Sequence, residues 1–98
     1  MTQEYLTLDT IRGMHIAHTD AGDFFMHEGN LLKEFYVKGK ITKARAGLFF
    51  LSIDGERFTA HKQEGFEVGE EVGCIVIPSQ NKETSHIEFV IKGLEKVR

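Results

Sequence analysis

The stretch FYVKGKITKARAGLFFLSIDGERFTAHKQEGFEVGEEVGCIVI, Phe35 to Ile77, reads as four short strands separated by turn signals. From Phe35 to Lys43 the residues alternate. Phe35, Val37, Gly39 and Ile41 fall on one side, and Tyr36, Lys38, Lys40 and Thr42 on the other. A period of two marks a strand with one buried face. Gly39 inside it predicts a bulge or a sharp bend, as at a barrel corner. Leu48 to Ile53 is almost continuously apolar, so both faces are expected to be at least partly covered. Asp54-Gly55 is a favoured two-residue hairpin turn. Arg57 to His61 is the return arm, with Phe58 and Ala60 facing in. Glu64-Gly65 opens a polar loop, and Val72 to Ile77 is a further apolar strand containing Cys74. Pro78 is expected to end that strand, because proline lacks a ladder donor.

The flanks are read outward from this stretch. Met14 to Asn30 resembles a hairpin, with MHIAHT and FFMHEG as arms and DAGD as the turn. Residues 1–13 fit a short helical turn capped by Asp9 or Thr10 and closed at Gly13, and fit an edge strand equally. Leu31 to Glu34 reads as a helical turn or a loop. His86 to Ile91 alternates, with Ile87, Phe89 and Ile91 on one face. Gly93 to Arg98 reads as a short tail or a helical turn. The chain is thus expected to be all-β, with about five to seven short strands, little helix and no internal repeat. Short strands with glycine-marked bends favour a small barrel over a two-sheet sandwich.

Ninety-eight residues make one domain, with 1–34 as an N-terminal hairpin extension and 35–91 as the barrel core. A chain of this size buries about two-thirds of its unfolded surface and needs no staple. A hydrophobic content of 41% with one proline argues against disorder. The single cysteine, Cys74, forms no internal disulfide, which fits a reducing compartment. MTQEYLTLDTIRG lacks the basic flank and apolar core of a signal peptide, and no apolar run approaches the roughly 20 residues that span a bilayer. A cytoplasmic protein is expected.

The net charge of −3 hides an asymmetry. Residues 1–32 sum to −4, residues 33–47 to +4, residues 48–77 to −4 and residues 78–98 to +1. An acidic chain lacks the footprint of a strong nucleic-acid binder, yet a local basic stripe still makes one face positive. A lysine-rich solvated strand face would show the same stripe.

Several short motifs resemble the S1-like branch of the OB fold. They are Gly39-Lys40-Ile41, Gly47-Leu48-Phe49-Phe50, His61 with Glu64, Val68-Gly69-Glu70-Glu71-Val72, and His86 to Val90. Asp54-Gly55, Phe58, Lys62 to Gly65 and Val68 to Val72 are similar in spacing to the first S1-like domain of the conserved virulence factor B family. The resemblance covers the last two-thirds of the chain. Departures are Phe58 near the place of a glycine, Gln63 for a serine, and Ser79-Gln80 for an acidic residue. The resemblance implies a small OB/S1-like β-barrel and adds Phe49 and His61 as base-stacking groups.

The expected function is a non-catalytic binding module for single-stranded RNA or DNA. Such barrels stack bases on aromatics and track phosphates with Lys and Arg. The candidate residues are Tyr36, Lys38, Lys40, Lys43, Arg45, Phe49 and His61. Since Phe49 and Phe50 are neighbours on a strand, one faces each way, and Phe49 is chosen. The alternative is a protein-interaction or self-associating barrel, a homodimer among its forms. Its acidic loop Glu64 to Glu71 and acidic N-terminal third would meet a basic partner.

Other chemistry finds little support. His15, His18, Asp20, Asp23 and His27 are metal-ligand types. On a straight strand, however, His15 and His18 point to opposite faces. Neither a metal nor another cofactor is expected. Cys74 sits in an apolar strand, where a thiol is inert. No phosphate-binding loop or triad motif is present, so no enzyme activity is expected.

Overall fold

The computed structural model describes residues 4–97. Residues 1–3 and 98, the ends of the expected N-terminal segment and tail, lie outside the described residues. Among the described residues the chain forms one short helix and eight strands. The all-β reading holds, with one strand more than the upper expectation.

The architecture is set by one long strand that serves two partners. β4 (Phe35–Arg45) pairs antiparallel through its first half with β7 (Glu71–Gln80) and through its second half with β5 (Leu48–Ile53). Lys40 is the crossover, opposite both Glu71 and Ser52. A register shift between Ile41 and Lys43 bulges the strand at Thr42, which increases its twist. Gly39 lies just before the bulge and allows a close approach. A Cβ there would lie 2.8 Å from Ile53 Cγ1.

β6 (Glu56–His61) returns from β5, and β8 (Ile87–Lys96) pairs with β7. The five strands run β6-β5-β4-β7-β8 and curl into a half-barrel. The connections between β4 and β5 and between β5 and β6 are both two-residue turns with positive φ at each position. They are Ala46-Gly47 (52° and 78°) and Asp54-Gly55 (51° and 80°). This handedness matches the twist of the strands they join.

Two expectations at the C-terminal side are corrected. Pro78 does not end β7, which runs on to Gln80. The β4 ladder ends at Val76, so beyond it β7 has only β8 to bond. The Gln80 N–H, two residues on, donates to Asp23 Oδ2 rather than to β8. Pro78 therefore presents its missing donor to the side with no ladder. Gly93 to Lys96 is neither tail nor helical turn but the end of β8, with Leu94 buried opposite Cys74.

The N-terminal third forms a separate sheet. β1 (Ile16–Thr19) and β2 (Gly22–His27) make the expected hairpin. β3 (Asn30–Leu32) takes Leu31 and Leu32 from the stretch Leu31 to Glu34, expected to be a helical turn or loop, and adds a third strand through a Glu28-Gly29 turn with φ of 49° and 81°. Before this sheet, helix α1 (Leu8–Arg12) takes the helical alternative for residues 1–13. Its N-cap is Thr7, two residues ahead of Asp9 and three ahead of Thr10, the caps expected, and Thr7 Oγ1 accepts from Thr10 N. Leu6 adds a single bridge to Val37 on the β4 edge that β5 leaves free.

The core lies within the curl. Val37, Ile41, Leu51, Ile53, Val72 and Val76 line it, and Leu8 and Ile11 of α1 enter it. Phe25 of β2 also reaches it, with its ring edge-on to Phe35 at 6.3 Å. α1 is held at this end by Asp54 Oδ2, which accepts from Leu8 N, and by a bidentate Arg12–Glu56 pair. No helix among the described residues is long and apolar enough to cross a membrane.

Candidate nucleic-acid interface

Strand alternation sends every second side chain of β4, β5 and β6 outward, away from the core. Their registers then build a grid of three rows. Lys40, Ser52 and Arg57 form one row, Lys43, Phe50 and Thr59 the next, and Arg45, Leu48 and His61 the third. The flanking strands carry the basic groups, while the middle strand carries Phe50 and Leu48. None of the nine is acidic.

The cations of this grid lie outside the ion pairs of the fold, and one of them, Lys40, also stands opposite Glu71 of β7. Lys40, Lys43, Arg45 and Arg57 have no ion-pair partner among the described residues. Elsewhere Arg12 is paired with Glu56, Lys92 with Glu34 at 2.5 Å and Lys96 with Glu70 at 2.7 Å, whereas Lys33, Lys38, Lys62 and Lys82 also form no ion pair among the described residues. The face is thus positive on a chain whose net charge is −3. Lys43 Nζ stands 6.0 Å from the Phe50 ring centroid, at the limit of a cation–π contact. A depression of about 490 Å³ lies on one side of Phe50, lined by Thr42, Lys43, Ser52 and Arg57 among others.

The structure divides the residues expected from sequence. Lys40, Lys43, Arg45 and His61 gather in the grid. Tyr36 and Lys38 lie on the same side of β4 but over β7, opposite Ile75 and Gly73. There Lys38 Nζ is 5.2 Å from the Tyr5 ring centroid, and Tyr5 donates its hydroxyl to Glu95 at 3.3 Å. An aromatic side chain therefore already stands beside Lys38, with a carboxylate bonded to its hydroxyl.

Phe49 is a correction. It is 2% exposed and belongs to the core, so no base can stack on it. Phe50 is the outward aromatic, because Leu51 and Ile53 fix the inward phase of β5. Phe50 and Arg57 are the two groups that the sequence reading missed. The turn could have found both. A two-residue Asp54-Gly55 turn sets Ile53 opposite Glu56, Ser52 opposite Arg57 and Leu51 opposite Phe58. With Phe58 inward, Leu51 and Phe49 follow it, and Phe50 and Arg57 face out.

The histidine and carboxylate cluster does not converge. His18 Nδ1 and Asp23 Oδ1 are 2.7 Å apart, and the other Asp23 oxygen holds Gln80 N. That bond is the largest cause of the Asp23 carboxyl lying below its usual range, with His18 second. His27 turns instead to Glu4 at 3.1 Å and Glu28 at 3.8 Å. Burial pushes the Cys74 thiol up to about 12, so the thiolate needed for nucleophilic chemistry is scarce at neutral pH. Compared with known proteins, the chain matches no family model, no curated protein and no solved structure.

Proposed function

We propose that this protein is a non-catalytic module that binds single-stranded RNA or DNA on the outer face of β4, β5 and β6. One observation carries the reading: an outward-facing grid with no carboxylate of its own, in which exposed cations outside any ion pair flank the half-buried Phe50. Single-strand binders combine a positive surface that tracks phosphates with aromatic platforms for bases. Stacking contributes roughly 1–3 kcal/mol per base and tolerates any base. Lys40, Lys43, Arg45 and Arg57 take phosphates, and Phe50 and His61 take bases. In OB barrels the second and third strands form the oligonucleotide-binding face. β5 and β6 occupy those places in the five-stranded sheet, which supports the S1-like resemblance of residues 39–90. Phe49 has no part in the site, and Tyr36 and Lys38 are at most its margin.

The test is a fluorescence-anisotropy titration against labelled poly-U and poly-dT at about 50 and 200 mM salt. Binding is expected, with log affinity falling against log salt by about 0.7 per phosphate contact. The triple variant Lys40→Glu, Lys43→Glu, Arg57→Glu should lose it while keeping the wild-type melting temperature, since all three side chains point into solvent. Equal affinity in the triple variant would remove the site, and no binding by the wild type would remove the function.

A second reading, protein interaction or self-association, is favoured by a different surface. β3 is exposed along its length at the edge of the small sheet, and Met26 and Leu31 lie side by side on that sheet, both exposed. A short exposed edge beside apolar side chains is a template for pairing. Under this reading sedimentation shows a dimer or a partner complex, and the triple variant behaves as wild type.

A further inference from the structure

β6 and β8 are the two ends of the five-strand order, and no ladder joins them. They nevertheless run side by side. Phe58 meets Phe89 edge-on with centroids 6.3 Å apart, and Gln63 Oε1 accepts from Leu94 N at 2.8 Å. Both contacts join residues 31 apart, so the strands are parallel with a constant offset. The seam is stapled at each end. Gln63 holds one end. At the other, Arg12 pairs with Glu56 of β6 and places its guanidinium 5.3 Å from the Phe89 ring centroid of β8.

Between the staples lies a trough of about 650 Å³. Phe58, Ala60, Phe89 and Ile91 make an apolar floor, and Arg57 and His61 stand on one rim. The opposite rim is Val90, which is 61% exposed. The volume suits a small organic ligand. Its occupant needs an apolar flat part for the floor and an anion for the rim, because Arg57 lacks an acidic partner among the described residues. An apolar peptide side chain would meet the first need and leave the second.

We infer that the seam seats one nucleotide, its base entering the trough against Phe58 and Phe89 and its phosphate meeting Arg57 and His61. The inference rests on the single-strand reading above and extends it. One nucleotide of the strand leaves the Phe50 platform and inserts between β6 and β8. A nucleotide within a strand and a free mononucleotide share this chemistry, and the experiment separates them.

The experiment follows the methyl resonances of Val90, Ile91 and Ala60 by NMR while UMP, AMP and poly-U are added separately. Poly-U affinity is measured in parallel for the wild type and Val90→Glu. Val90 is exposed, so its replacement keeps the fold, which the melting temperature checks, and it places a carboxylate on the rim of the trough across which the nucleotide enters, facing its phosphate. The expected result is a shift of these methyls with poly-U and with at least one mononucleotide, and a loss of poly-U affinity of at least fivefold in Val90→Glu. Wild-type poly-U binding with unmoved seam methyls and an unaffected variant overturns the seat and leaves the outer-face reading intact. Mononucleotide shifts at the seam without poly-U binding uphold the seat and overturn the strand reading. Neither shift nor binding overturns both.

Discussion

Gly39 shows how much one missing Cβ controls. Alanine there would bring a methyl to 2.8 Å from Ile53 Cγ1 and 3.2 Å from both Cys74 Sγ and the Ser52 carbonyl oxygen. These are core and backbone atoms with little room to move, so overpacking should cost about 1–3 kcal/mol. For a chain of this size that lowers the melting temperature by roughly 4–8 °C per kcal/mol, which calorimetry reads directly. Gly73 is the control. An added Cβ there is equally close to Glu95 Cγ and Tyr5 Oη, but those belong to side chains that can swing aside. Gly73→Ala should cost less than Gly39→Ala. Cys74 offers a second test at this scale. Fully buried, with its thiol pushed up to about 12, it should resist a thiol reagent such as DTNB in native protein and react within the mixing time in denaturant. Fast native labelling would mean that β7 opens readily.

At the scale of elements, one carboxylate joins the two sheets. Asp23 of β2 holds His18 of β1 with one oxygen and the backbone of Gln80 of β7 with the other. Asp23→Ala should cost roughly 1.5–3 kcal/mol, the range for hydrogen bonds to charged groups. The same residue predicts a pH dependence. The carboxyls of Asp23, Glu56 and Glu70 all lie below their usual range, Asp23 mainly through Gln80, Glu56 through Arg12 and Glu70 through Lys96. A carboxyl with a lower pKa folded than unfolded adds stability that is full above the unfolded value. That stability is lost as pH falls through the folded one. The melting temperature should therefore hold down to about pH 5 and drop below about pH 4. The drop should be shallower in Asp23→Ala, and an identical acid limb in that variant would remove Asp23 from the account.

For the whole molecule, the consequence of the fold is an open curl instead of a closed barrel. β4 bulges at Thr42 and changes partner at Lys40, which brings β6 and β8 side by side with no backbone ladder between them. α1 blocks one end of the curl with Leu8 and Ile11. The curl also settles where charge goes. The basic stretch of residues 33–47 is continuous in sequence but divided in space. Lys38 lies beside Tyr5 and near Glu95, whereas Lys40, Lys43 and Arg45 meet Arg57 and His61 across β5.

The local facts of this protein are legible in its residues. Alternation over residues 35–43, the Asp54-Gly55 turn and the near-continuous apolar run at residues 48–53 specify strands and a hairpin, because period and turn chemistry act over a few bonds. The inward phase of Phe58 even implies the outward phase of Phe50, through the register of a two-residue turn. Three things were decided only by the tertiary structure. Residues 30–32 pair as a strand because β2 offers them an edge. Pro78 stays inside β7 because no neighbour needs its missing donor there. The trough exists because β6 and β8, separated by 25 residues of loop and strand, end up adjacent when β4 bends. Such pairings depend on which edges remain free once the core has closed, and no short window of sequence carries that information.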